Sequence, residues 1–219
     1  MFPSFSSFFS KILSLTGKER EQIMHLIIGL GNPGNRYKST RHNIGFMALE
    51  RLATRLEVDL RQKSFQALWG KGKIENKKLI LAQPQTYMNL SGAAVRQLQS
   101  FFKTDISNLI VIHDDIDLPF GAIRLKRGGG NAGHKGLSSV ESELGSSDFI
   151  RVRLGIGKPV DKTPVERYVL EPFEEDEEGI LPDVINWASE ACAEIVLADL
   201  KTAISKYQTK NITFHKKED

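Results

Sequence analysis

Four short stretches of the chain gather side chains that accept protons, hold carbonyls or meet phosphates. In "GLGNPGNRYKSTRHNIG" an apolar run ends in a tight turn presenting Asn32, and the following loop delivers Arg41, His42 and Asn43 to the start of a helix. "NLIVIHDDIDLPFG" places His113, Asp114, Asp115 and Asp117 at the end of a buried-looking strand, with Leu118-Pro119 enforcing a turn. So many ligand types together suggest a metal. Adjacent residues on one backbone do not all converge, however, and no H-x-x-x-H or E-x-x-H partner stands on a helix, so no metal is expected. A carboxylate that orients and charges a histidine is the simpler chemistry.

"QPQTYMNLSG" puts Thr86, Tyr87, Met88 and Asn89 after another strand. Asn89 or Ser91 would cap the next helix, or one of these polar groups would hold a carbonyl beside the apolar Met88. "AIRLKRGGGNAGHKGLSS" couples Arg124, Lys126 and Arg127 to consecutive glycines, then His134 and Lys135. It is not a phosphate-binding P-loop, because His134 stands where the lysine belongs. A mobile surface loop is one reading. The other is a patch that meets phosphates, joined by Arg151 and Arg153 of the next strand.

The first stretch also contains a literal G-x-G-x-x-G at Gly29, Gly31 and Gly34. A dinucleotide-binding turn needs a helix to begin inside the motif, so that its N–H groups approach the pyrophosphate. Pro33 removes one of those N–H groups and disfavours the α conformation at Asn32. The acids some twenty residues on, Glu50 and Glu57, fall in an expected helix rather than at a strand end. A dinucleotide is therefore not expected, and no other cofactor is implied.

The elements that must position these groups alternate. Strand-like runs recur as "HLIIGL", "KKLILAQ", "NLIVIHD", "AIRLKR" and "FIRVRLGIG", each bounded by turn residues. Between them, "NIGFMALERLATRLEV" and "NLSGAAVRQLQSFFK" carry apolar residues at helical spacing. The pattern predicts an α/β fold: one compact domain with a twisted, partly parallel sheet flanked by helices, whose function gathers at the carboxyl ends of strands. The acidic run "EPFEEDEEGI" reads as the solvated start of a helix over about 180–207.

Thirty Lys and Arg against 27 Asp and Glu leave a net charge of only +3, so a polyanion must be met by a local patch. The single cysteine, Cys192, excludes an internal disulfide and suits a reducing compartment; its amphipathic setting predicts a buried thiol. No apolar run is long enough for a spanning helix. Residues 1–23 are rich in Ser and Phe with no acid before Glu19, and read as a loosely attached extension or an organelle-targeting segment. The domain proper is expected over 24–219, with no role for His215 in its exposed tail.

Taken in order, "GLGNPG…Y…TRHNIG", "TYMNLSG", "HDDIDLPFG" and "GGGNAGHKGLSS" resemble the signature segments of bacterial-type peptidyl-tRNA hydrolases. The resemblance implies a compact α/β enzyme, usually monomeric, cytoplasmic and metal-free. Such an enzyme hydrolyses the ester joining a peptide to the 3′ ribose of tRNA and so recycles tRNA from peptidyl-tRNA released by stalled ribosomes. Matched by motif, His42 is the catalytic base and Asp114 its partner, while Asn32 and Asn89 position the substrate. Tyr37 matches a tRNA-site aromatic, Met88 bounds the peptide path, and Lys126 and Arg153 match the cations that clamp the 5′-phosphate end. The tRNA acceptor stem and 3′ CCA end are the implied partners, with His134 and Lys135 at the 3′ end. Lys135 departs from the family, in which an asparagine is common there. A non-catalytic RNA-binding relative of the same fold is the alternative.

Overall fold

The computed structural model describes residues 24–159 and 162–208. The expected extension over 1–23, its targeting alternative and His215 lie outside the described residues.

The five anticipated runs form β1 (His25–Gly29), β4 (Lys77–Pro84), β5 (Leu109–Asp115), β6 (Ile123–Arg127) and β7 (Ile150–Gly155). Two further strands, β2 (Gln62–Ser64) and β3 (Ala67–Ile74), complete a seven-stranded mixed sheet in the order β2-β3-β4-β1-β5-β7-β6. The hairpin was not read from sequence because Phe65 and Gln66 occupy its turn at positive φ, where Gly or Asn is the usual signal. Strands β4, β1, β5 and β7 run parallel, whereas β3 and β6 pair antiparallel to their neighbours.

Alternation along the strands builds two cores. Ile27, Ile110 and Val152 face α1 (Ile44–Arg55), α5 (Glu175–Leu197) and α6 (Leu200–Tyr207). Leu26, Ile28 and Val111 face α2 (Ser91–Phe102) and α3 (Lys135–Leu144). A fourth helix in chain order, α4 (Val165–Tyr168), is a single turn. From β1 the chain crosses one face through α1 toward β4, then returns over the other through α2 to β5. The crevice between these crossovers opens at the carboxyl ends of the parallel strands.

The glycines of the apparent fingerprint serve this packing. A Cβ on Gly29 would collide with the Gly45 backbone of α1, and one on Gly31 with the Phe46 ring, so the glycines let α1 ride close on β1.

Three expectations need correction. Neither Asn89 nor Ser91 caps α2: a 3₁₀ turn (Met88–Leu90) leads straight into it, and the free Gly92 N–H donates to Ser139 Oγ of α3 at 2.9 Å. The helix expected over 180–207 starts at Glu175 and is two helices, with Asp199 capping the second. Its acidic start is only partly solvated, because Glu177 turns inward onto Arg41.

Candidate active site

His42 enters the crevice on a 3₁₀ turn (Arg41–Asn43) that runs directly into α1. Its Nδ1 lies 2.9 Å from both oxygens of Asp114, which stands near the end of β5 with 2% of its side chain exposed. The same carboxylate has a second partner: His134 Nε2 is 2.9 Å from Asp114 Oδ1. The other ring nitrogen of His134 accepts from the N–H groups of Gly136 (3.1 Å) and Leu137 (3.2 Å), capping α3. That double acceptance fixes the tautomer: Nδ1 is bare, so Nε2 carries the hydrogen and donates to Asp114. His42 likewise donates from Nδ1, which leaves its Nε2 as the acceptor available to the cavity.

Burial alone would raise the Asp114 pKa, but the His42 and His134 partners outweigh it through charge and hydrogen bonds and hold the carboxyl well below the usual range. Next to it, burial and then the His134 neighbour push His113 well below the ordinary imidazole value. The His113 Nδ1–H is bonded to the Asp114 carbonyl at 2.6 Å, and its Nε2 is buried with no hydrogen-bond partner among the described residues.

Asn32 is held for donation. Its Oδ1 accepts the Met88 N–H at 2.8 Å, which orients the amide so that Nδ2 is turned away with no hydrogen bond among the described residues. The backbone of Asn32 is clamped by the Asn43 side chain, which accepts from its N–H (2.8 Å) and donates to its C=O (2.9 Å). Sequence reasoning noted Asn43 but not this role, which no local pattern announces.

These groups line a cavity of about 610 Å³, together with Met88, Asn89 and Lys135. Asn89 and Lys135 are exposed at its edge, and Tyr87, Val165, Val169 and Leu170 give it an apolar rim. The rim residues from α4 onward had no detectable periodicity in so short a helix.

Lys126 and Arg153 do not reach this cavity. They line a second one, of about 170 Å³, with Arg151, His113, Asp115 and the glycine-rich segment. Register explains the grouping: His113 pairs with Arg153, Arg153 with Arg124, and Arg151 with Lys126, so these side chains share one face of the sheet. Partial burial, then the Arg153 and Arg151 charges, pull the Lys126 pKa down. Arg153 Nε is engaged by Asp115 at 2.7 Å. Arg151 is fully buried; it donates to Gly130 O (2.8 Å) and Asn131 Oδ1 (3.1 Å), and its Nε and Nη2 have no hydrogen-bond partner among the described residues.

The glycine segment is therefore a strap tied to Arg151 of β7 and to Glu141 of α3. Its glycines are required because Gly128, Gly129 and Gly133 take positive φ. Tyr37 lines neither cavity; it sits on a 3₁₀ turn (Asn35–Tyr37) with the Arg36 guanidinium 4.5 Å from its ring centroid.

Among the described residues, the metal-ligating types that do meet are His42, Asp114 and His134, drawn from three distant segments rather than from the His113–Asp117 run. Their separations of 2.9 Å are those of two imidazole N–H donors on one carboxylate. What this arrangement offers is a hydrogen-bonded base, an amide donor and a phosphate-sized cationic recess nearby. It can activate water against an acyl carbon.

Comparison with known proteins agrees. A family model described as peptidyl-tRNA hydrolase matches residues 26–215. A peptidyl-tRNA hydrolase of Geotalea daltonii is 45% identical over 187 residues, covering 85% of this chain and 97% of that protein. One from Pelobacter propionicus is 45% identical over 188 residues, covering 86% and 97%. The crystal structure of peptidyl-tRNA hydrolase from Acinetobacter baumannii superposes with a TM-score of 0.81 at 34% identity, covering 89% of this chain and 99% of that one. The chain belongs to the peptidyl-tRNA hydrolase family.

Proposed function

We propose that this protein hydrolyses the ester between a peptide and the 3′ ribose of tRNA, with His42 as general base. His42 Nε2 takes a proton from water as the water oxygen attacks the ester carbonyl. Asp114 keeps His42 in the Nδ1–H tautomer and stabilises the imidazolium that forms. Asn32 Nδ2 donates to the carbonyl oxygen as it becomes an oxyanion, a contact worth about 3 kcal/mol in the transition state. Collapse breaks the bond to the ribose 3′ oxygen, which takes the proton from His42 and leaves as tRNA, and the peptide leaves as its carboxylate once the second water proton passes to solvent.

Asn89 holds the peptide backbone at the cavity edge and Met88 bounds the peptide path. His134 and Lys135 meet the 3′ CCA end. Lys126 and Arg153 take the 5′-phosphate of the acceptor stem over the second cavity, and Tyr37 lies on the same tRNA track. A site that pairs with the first peptide bond rejects the charged amine of ordinary aminoacyl-tRNA. The enzyme works as a monomer, in the cytoplasm and without a metal, recycling tRNA; among the described residues no helix is long and apolar enough to cross a membrane.

The single observation that carries this reading is the bond from His42 Nδ1 to buried Asp114, with the Asn32 amide oriented in the same cavity. The experiment is hydrolysis of N-acetyl-aminoacyl-tRNA with and without chelator. Turnover should survive chelation and fall at least about a hundredfold in His42→Ala. Tight tRNA binding without turnover would instead establish the RNA-binding alternative, although phosphate binding alone needs neither His42 nor Asn32.

A further inference from the structure

Arg41 precedes the proposed base, is 1% exposed, and lines neither cavity. Among the described residues, everything its side chain holds belongs to one distant segment. Nη1 donates to the Pro172 carbonyl, and Nη2 donates to Glu177 at 2.6 Å with Glu174 3.6 Å away. The guanidinium lies over Tyr168 at 4.4 Å and near Phe173 at 5.5 Å. Around it, Arg41 N–H donates to Glu171 O, His42 N–H to Val169 O, and Thr40 bridges Pro172. Glu177 also closes the capping box of α5 by accepting from Glu174 N–H at 2.8 Å.

One wall of the large cavity depends on this clamp. Residues 165–170 contain only the single-turn α4, too short to hold itself. The wall presents Val165, Val169 and Leu170 to the cavity, with Val165 42% and Leu170 41% exposed. A buried guanidinium is an expensive way to fill space, since an apolar side chain would pack on Tyr168 and Phe173 without losing hydration. What the fork adds is a fixed distance and angle to two acceptors.

The two cavities also define direction. They share His113, Asp115, Asn131 and Ala132, whereas the cationic one touches neither residues 87–89 nor 165–170. The alcohol half of the ester, tRNA, therefore lies toward the glycine strap. The acyl half lies between Tyr87–Met88 and the Val165–Leu170 wall. We propose that Arg41 is a positioning residue that, through Pro172 and Glu177, sets this wall as the second apolar face of the peptide channel. This rests on the ester-hydrolase reading above.

The test compares N-acetyl-aminoacyl-tRNA with a tRNA carrying a short apolar peptide. Arg41→Lys keeps the charge but loses the fork. It should raise KM for the peptidyl substrate about tenfold more than for the acetylated one, the scale of one apolar side chain's burial. Leu170→Ser alters an exposed side chain that the core does not need, and should reproduce the length-dependent KM even if Arg41→Lys folds poorly; Glu177→Gln should do so more weakly. An equal fall in kcat on both substrates would mean that Arg41 acts on His42 instead of the wall, and overturns the proposal. Unchanged length dependence in Leu170→Ser overturns it as well. A wild-type protein inactive on both substrates would sink the esterase reading itself, a separate outcome.

Discussion

Replacing Asp114 by asparagine is isosteric, yet the hydrogen bonds around it make the outcome severe and specific. His134 Nδ1 is committed as an acceptor to Gly136 and Leu137 of α3, so its Nε2–H must find an oxygen. In Asp114→Asn only one oxygen remains, and His134 claims it at the position now 2.9 Å away. His42 Nδ1, 2.9 Å from both carboxylate positions, then shares that one oxygen with His134 and meets the amide nitrogen at the other. The amide N–H opposes the Nδ1–H and the oxygen already serves His134, so His42 shifts toward the Nε2–H tautomer and presents a hydrogen where it must accept one. The expected loss in kcat is on the order of 10⁴, about 5 kcal/mol, with KM little changed. A second substitution tests the cause. With His134→Ala added, the one remaining oxygen no longer has a second donor and serves His42 alone, and the double variant should be about tenfold more active than Asp114→Asn alone, a positive coupling of about 1.4 kcal/mol. Steady-state hydrolysis of N-acetyl-aminoacyl-tRNA measures both. A double variant no better than the single one, or a single variant within tenfold of wild type, would refute the tautomer argument.

Asn32→Asp keeps an acceptor for the Met88 N–H but removes the donor, so kcat should fall by about 10²–10³ with the fold intact by circular dichroism. Lys126→Ala should narrow the discrimination between 5′-phosphorylated and dephosphorylated tRNA and flatten the salt dependence of KM by about one unit of slope. Burial pushes the Cys192 thiol up to about 12, so it stays protonated through neutral pH. The native protein should therefore resist iodoacetamide and keep full activity, while the denatured chain is alkylated. Gly29→Ala forces α1 off β1 and should cost about 1–3 kcal/mol, read as a lower midpoint in urea.

What the sequence disclosed follows from how far apart the interacting groups lie. Strands buried on both faces announce themselves by composition, which is why β1, β4 and β5 fell within a residue or two of the runs "HLIIGL", "KKLILAQ" and "NLIVIHD". The β2–β3 hairpin hid behind turn residues that pay for positive φ, and α3 hid behind the glycines of its leading strap. His42 and Asp114 were legible as types and by resemblance, but they lie 72 positions apart, and that they touch depends on the fold between them. His134 was read as a tRNA-side residue, and the structure adds its bond to Asp114. Arg41 and Glu177 were invisible as a pair because they lie 136 positions apart and one belonged to an acidic run with an ordinary explanation.

The shared carboxylate also limits how portable this chemistry is. His134 answers at once to the first turn of α3 and to Asp114, and that helix is in turn tied to α2 through Ser139 and Gly92. Copying a histidine, an aspartate and an asparagine onto another scaffold would reproduce the distances and leave the protons unassigned. The smallest transplantable unit is four backbone segments, each of which decides where a hydrogen may sit.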